Sequence, residues 1–481
     1  MQNDSLTCLS DCRVEEVNSS SAVYAAFTDG TVPDPALAAC YLERQLSLAA
    51  ALPCDLPDDP ADLPVWASAH HTRITGLYRG YLKERQQGGA RRYFANLAHA
   101  LYFIRNVAPT KLVDGAWLYG VLRHWQDNDF HPLVKTYVEE LGAGVPDKNH
   151  VALYQRLLDH YGCATTDGLS DAHFTQGAIQ LALGYGPSRF EPEMVGYNLG
   201  YEQLPLHLLI TSYELNELGV DPYYFTLHVT VDNASTGHAH DAIAALQRMR
   251  ARDQDPDAYY VRVRAGYRLN ALGESSTSVI GAFDLETELV RILSGKAIDG
   301  KDMHGDYCRV EGKTINVWLA TPGQIHGLLS AFQRTGWIQR GRPAAESRFW
   351  RLIQGARAEM FGVFSAYEQQ VLADWIATPA NPQQAALPTA RVMSFRARQR
   401  ALEHDAVVAR PRPARPVIRY NYGAGSDATH SGSRLRQLEQ AVALAPDKQA
   451  AITVLIACMS PAAHHSPAGL MATRMFAQLA C

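Results

Sequence analysis

Paired cysteines are missing from this sequence. Its eight cysteines stand at 8, 12, 40, 54, 163, 308, 458 and 481 with no C-x-x-C pair, a spacing that supports neither a zinc ribbon nor a disulfide scaffold. Long apolar runs are missing too. The longest, Ala49 to Leu52 and Ala450 to Met459, fall well short of the roughly 20 residues that span a bilayer. Charge of one sign is scarce: a net charge of -5 over 481 residues gives no general attraction to nucleic acid or to an anionic membrane. A Gly-rich phosphate loop, a nucleophile elbow and a dinucleotide fingerprint are all lacking, which leaves the common nucleotide-dependent and acyl-transfer chemistries without a candidate. Met1-Gln-Asn-Asp4 has no basic start leading into an apolar core, so the expected location is the cytoplasm.

What is present is ordinary globular composition, 47% hydrophobic and 19% charged, with apolar residues recurring at the three-to-four spacing of buried helix faces. The expected fold class is mainly α. Residues 1–60 read as an N-terminal arm and 61–255 as a helical bundle. Residues 256–377 read as a mixed, mostly helical extension packed on that bundle, 378–432 as a Pro/Arg/Gly-rich linker, and 433–481 as a C-terminal helical tail. Within the bundle the pattern predicts helices over Ala90–Asn106, His131–Leu141, Asn149–Tyr161, Ala172–Leu183, Glu193–Leu218 and Pro222 to about Arg250, with another beginning at Asp114. Tyr260 to Arg264 and Thr314 to Leu319 alternate as strands do, and Ala345–Thr378 reads as one bent helix.

The densest chemistry lies in His228-Val-Thr-Val-Asp232-Asn-Ala-Ser-Thr-Gly-His238-Ala-His240-Asp241. His228 and Asp232 are four apart, one above the other on a helix face, which is how a helix presents metal ligands. His238 lies six past Asp232, on the opposite face of a regular helix, so Asn233 to Gly237 must turn it inward if it is to share the site. Glu140, His150 and Glu202 supply matching groups upstream. Glu140 and His150 are ten apart, about 15 Å along a continuous helix, so the interruption Gly142 to Pro146 has to fold back to bring them together. Glu202 sits in the apolar run Tyr197 to Pro205, where an unpaired charge is costly. Asp114 suits an N-cap as well as a ligand. Carboxylates that offset and bridge two cations, with imidazoles that fix them, make a two-metal site.

His207, His240 and Asp241 are outer candidates, and Tyr197, Tyr201 and Tyr224 could donate to ligands or pack in the core. His304 suits a local turn, and Arg264 and Arg348 suit either carboxylate clamps or surface roles.

Together, Asp114-Gly-Ala-Trp-Leu118, Glu140-Leu-Gly-Ala-Gly144 with Asn149-His150, Asn198-Leu-Gly-Tyr-Glu202 and the His228, Asp232, Gly237-His238 segment resemble the haem-oxygenase-like diiron oxidases and oxygenases over roughly Ala90 to Ala245. The resemblance implies a haem-oxygenase-like helical bundle without haem, two iron ions as cofactors and dioxygen as cosubstrate. It implies metal ligation by Asp114, Glu140, His150, Glu202, His228, Asp232 and His238, with no catalytic residue beyond these. Glu140 would reach both ions, with His150, Glu202 and His238 around one and Asp114, His228 and Asp232 around the other. The third histidine is a mark of the family's N-oxygenases, so the implied activity is oxygenation of an amine in an amino-acid-derived substrate of specialised metabolism. The alternatives are oxidative C–C cleavage or desaturation of a fatty or amino acid at the same site, and a non-catalytic helical binding protein. The partners this reading calls for are a small-molecule substrate, an external electron donor such as a reductase unless the substrate supplies the electrons, and a second copy in a homodimer. Neither nucleic acid nor membrane is among them.

Overall fold

Asp34 accepts the Ala36 N–H and Pro35 fills the first turn of helix Pro35–Ala49, where its missing donor costs nothing. The same local logic builds most of the chain. The computed structural model describes residues 19–29, 33–231, 237–354, 358–379 and 428–480, and helices dominate them. The sheet among the described residues is the antiparallel hairpin Arg309–Val310 with Lys313–Thr314. No helix among them is long and apolar enough to cross a membrane.

Where the helices depart from the periodic pattern, a specific competitor wins. The helix expected over Ala90–Asn106 starts only at Leu97. Before it, the backbone amides of Arg92, Tyr93 and Phe94 donate to the fully buried Glu214 at 2.5, 2.9 and 2.9 Å, so the chain wraps a carboxylate and Asn96 then caps the helix. The span Glu193–Leu218 is two helices, Glu191–Tyr201 and Leu206–Leu218, because Pro205 cannot donate in a continuous helix. Pro222–Arg250 also divides, into Tyr223–Val231 and His238–Arg252.

Tyr260 to Arg264 is helical, inside Pro256–Arg268. Its buried residues Tyr259, Tyr260, Val263 and Gly266 make a helix face that the alternation of Val and Arg disguises. Gly266 and Gly196 let this helix cross Glu191–Tyr201 closely, since a Cβ on either would strike the other helix's carbonyls. Ala345–Thr378 is likewise broken, into Arg348–Ile353 and Ala366–Ala377, the second started by a Ser365–Glu368 capping box. At Thr314 the strand gives way to helix Ile315–Leu319, with the Thr314 hydroxyl accepting from Val317.

Two apolar cores result. One joins Phe27, Tyr41, Trp117, Tyr137, Val195 and Leu246 to the C-terminal Ile452, Leu455 and Phe476. The other joins Phe103, Tyr154, Tyr224 and Phe225 to Ile292, Phe332 and Trp375. The acidic and histidine side chains touch both, since Asp114 bonds to Tyr224 of the second core and to Tyr201, which packs on the first.

Candidate metal centre

Asp114, Glu140, His150, Glu202 and His238 stand where regular structure begins or ends, whereas His228 lies inside helix Tyr223–Val231. Glu140 is the last residue of helix His131–Glu140, and His150 is the first of His150–Tyr161, capped by Asn149. Between them Gly142, Ala143 and Gly144 all take positive φ, at 65°, 49° and 77°, which folds the chain back on itself. His150 Nδ1 thereby comes within 2.5 Å of Glu140 Oε2. Glu202 is the residue after helix Glu191–Tyr201, released there by the break at Pro205. Asp114 precedes the 3₁₀ turn Ala116–His124, and its carboxylate turns into the site instead of capping. Trp117 Nε1 donates to Asn198 Oδ1 at 2.9 Å, tying the Asp114 segment to the helix that carries Glu202. His238 opens helix His238–Arg252, so a new helix start aims it inward. Asp232 and Asn233 to Thr236 lie outside the described residues.

The side chains form two groups that share one member. Asp114, Glu140, His150 and His228 offer ligand atoms within 4.8 Å of one another, and so do Glu140, Glu202 and His238; all six are buried. Glu140 thus faces both, as the resemblance implies for a bridging carboxylate. His150 is grouped with Asp114 and His228, not with Glu202 and His238, and its ring lies 4.3 Å from that of His228. His207, His240 and Asp241 are in neither group; Asp241 pairs with Lys135 at 2.8 Å. His304 Nδ1 bonds locally to Gly300 O. Arg264 pairs with Asp58 and Arg348 lies over Trp337, both away from the site.

The outer contacts fix which ring nitrogen is available. His228 Nδ1 donates to Tyr224 O at 2.8 Å, leaving Nε2 toward Asp114 Oδ2 at 3.0 Å. His238 Nε2 meets Glu139 Oε2 at 3.0 Å, leaving Nδ1 facing Glu202 Oε2 at 3.2 Å and Glu140 Oε1 at 3.4 Å. A carboxylate behind a histidine in this way holds the ring and raises its basicity toward a metal. Glu139 was not legible as a functional residue: beside Glu140 on a helix, it reads as a solvated glutamate. Tyr201 and Tyr224 donate to Asp114 Oδ1 and Oδ2 at 2.7 and 2.5 Å, and Lys111 stands behind Tyr201 at 2.9 Å.

These residues fit an ion of the oxygen- and nitrogen-binding kind. Imidazole and carboxylate donors suit iron. Glu140 Oε2 and His150 Nδ1 are fully buried and 2.5 Å apart, two ligand-type atoms close enough to share one cation.

In the metal-free cluster, protons stand in for the ions. Burial would lower the pKa of His150, but the Glu140 carboxylate, followed by Asp114, outweighs it and pushes the pKa up to about 10. Burial would raise Asp114, but Lys111, His150 and His228 hold it well below the carboxylate range, and His150 holds Glu140 down against its own burial. With the His150 pKa raised above 6.5, its stabilisation of the metal-free fold is complete below that pH and fades as pH rises through about 10. A metal must displace this proton. Metal affinity is therefore expected to rise about tenfold per pH unit between about 7 and 9, with a proton released on binding. Calorimetry in buffers of different ionisation enthalpy reads that proton; a heat independent of the buffer would contradict the assignment.

Residues 101–271 match the family of iron-containing redox enzymes. No curated protein and no solved structure matches the chain. Every residue of the two groups lies inside the matched segment, as does Glu139. The similarity to iron-containing redox enzymes therefore spans the whole of both groups. The helices that follow residue 271, and the tail after 428, fall outside the match.

Proposed function

We propose that the two groups hold a pair of iron ions and that the chain uses dioxygen to oxygenate an amine nitrogen of a small, amino-acid-derived substrate. The observation that carries this reading is the sharing of Glu140 between a group with two histidines and a group with a third, His238. Bound ferrous ions would supply electrons to dioxygen. The chain's own residues do the rest. Glu140 offers one oxygen to each group, Oε2 toward His150 and Oε1 toward His238. Tyr201 and Tyr224 keep Asp114 anionic and oriented by donating to both of its oxygens, and Glu139 keeps His238 Nδ1 available. Burial of all six side chains excludes bulk water, which strengthens every charge interaction in the site.

Inserting one oxygen atom of O2 into an N–H bond, with the other leaving as water, takes two electrons beyond those the substrate gives. A reductase or a sacrificial donor is accordingly the partner this chemistry calls for. The test is turnover of candidate amino acids and amines by the iron-loaded chain under ¹⁸O2, read by mass spectrometry. Incorporation of one labelled oxygen on nitrogen supports the proposal. Loss of two hydrogens, or a shortened carbon chain, would replace it with desaturation or C–C cleavage at the same site.

A further inference from the structure

The turn that brings Glu140 to His150 is held by a segment more than 300 residues further along. The amide of Asn149 does the holding. Its Oδ1 accepts the Ala152 N–H at 2.9 Å, and its Nδ2 donates to Leu141 O at 3.2 Å and to His464 Nδ1 at 3.0 Å. Leu141 follows Glu140 and Asn149 precedes His150, so a single side chain ties the two ligand-bearing helix ends to each other and to the C-terminal segment. The network also fixes the proton on His464. A carbonyl can only accept and a backbone N–H can only donate, so Nδ2 must point at Leu141 and His464 Nδ1 must be the acceptor. His464 is 1% exposed and is neutral, its pKa held well below the usual value by burial and then by His465.

More of the tail seats on the same turn. Arg474 Nη2 donates to Gly144 O at 3.2 Å, and the Tyr137 hydroxyl donates to Met459 O at 2.6 Å. Gly144 packs against the main chain of Leu470 and Arg474 with no room for a Cβ. Met459, Ala472 and Phe476 are completely buried in the core that also contains Leu133, Tyr137 and Leu141.

We infer that the C-terminal segment Met459 to Arg474 is a working part of the metal centre, in which His464 is a positioning residue that sets the approach of His150 to Glu140 through Asn149. This rests on the reading of the two groups as metal-binding. Two substitutions in the full chain separate the hydrogen bond from packing. His464→Asn can place an acceptor where Nδ1 stands, whereas the longer amide of His464→Gln places it nearer Nε2. Titration with Co(II), followed by visible absorption, is expected to give His464→Asn the affinity and spectrum of the unaltered chain. His464→Gln is expected to bind about tenfold more weakly, the lower end of the cost of losing an outer partner, with an altered spectrum. Coupling is reciprocal, so Co(II) loading of the unaltered chain should also slow amide hydrogen exchange over residues 459–474. Equal Co(II) affinity and spectra for both variants, or exchange in the tail that ignores Co(II), would overturn the inference. An unaltered chain that binds no Co(II) or Fe(II) would instead remove the metal-binding reading itself.

Discussion

Glu140→Ala is expected to strip both metal ions from the chain, not one. Glu140 is the member common to the two groups, and its oxygens lie 2.5 Å from His150 Nδ1 and 3.4 Å from His238 Nδ1. Removing it withdraws the charge that offsets one cation and the carboxylate that reaches the other. Ligands fixed by an outer partner lose roughly 10–100-fold in affinity when that partner goes, and loss of a shared ligand should exceed this for both ions. The variant should still fold. Without Glu140 the largest force holding a proton on His150 disappears while Asp114 Oδ2 stays 3.7 Å from the ring, so a neutral ring has lost its charge and a protonated one keeps a partner, and no unpaired cation remains buried. Glu202→Gln is the contrasting case, since Glu202 belongs to the second group alone. Iron retained after gel filtration should fall to background for Glu140→Ala and by about half for Glu202→Gln. One tightly held ion in Glu140→Ala would show that the carboxylate is not shared.

Gly142→Ala is expected to damage both stability and the site. Gly142 has φ 65°, and a Cβ there would collide with the main chain of Lys148 and Asn149. Left-handed backbone costs a non-glycine residue about 1–2 kcal/mol, and forcing atoms into a packed contact costs about 1–3 kcal/mol more. The chain can relieve the collision only by moving Asn149, and with it His150, away from Glu140. Thermal melts of the metal-free chain should therefore register a loss of roughly 2–5 kcal/mol. Metal titration should show the ion on the Asp114, His150 and His228 side weakened more than the ion beside Glu202 and His238. Unchanged melting together with unchanged binding would mean that the turn is not what sets the separation of the two ligands.

Local signals made the helices and the ligand-type residues legible, and long-range contacts hid the rest. Helix ends such as His150 after Asn149, or Pro35 after Asp34, follow from caps a few residues away. The need for a fold-back between Glu140 and His150 followed from helix geometry and the glycines between them. Pro205 was an available signal that Glu193–Leu218 is two helices, and that break frees Glu202 from its helix. By contrast, the shortened helix before Asn106 depends on Glu214, some 120 residues away, and no periodicity reveals it. Glu139 behind His238 and His464 behind Asn149 are the same kind of case, ordinary residues given a role by elements far apart in sequence. The tyrosines were ambiguous between core and site. Tyr201 and Tyr224 turn out to be both, packed on the two cores and donating to Asp114.

Counting iron tests the central claim most directly. Anaerobic titration of the full chain with Fe(II), followed by removal of unbound metal and by oxygen-electrode measurement on return to air, is predicted to give two irons per chain and oxygen uptake that scales with the iron bound. A chain that retains one iron or none, or that holds two and consumes no oxygen, would contradict it.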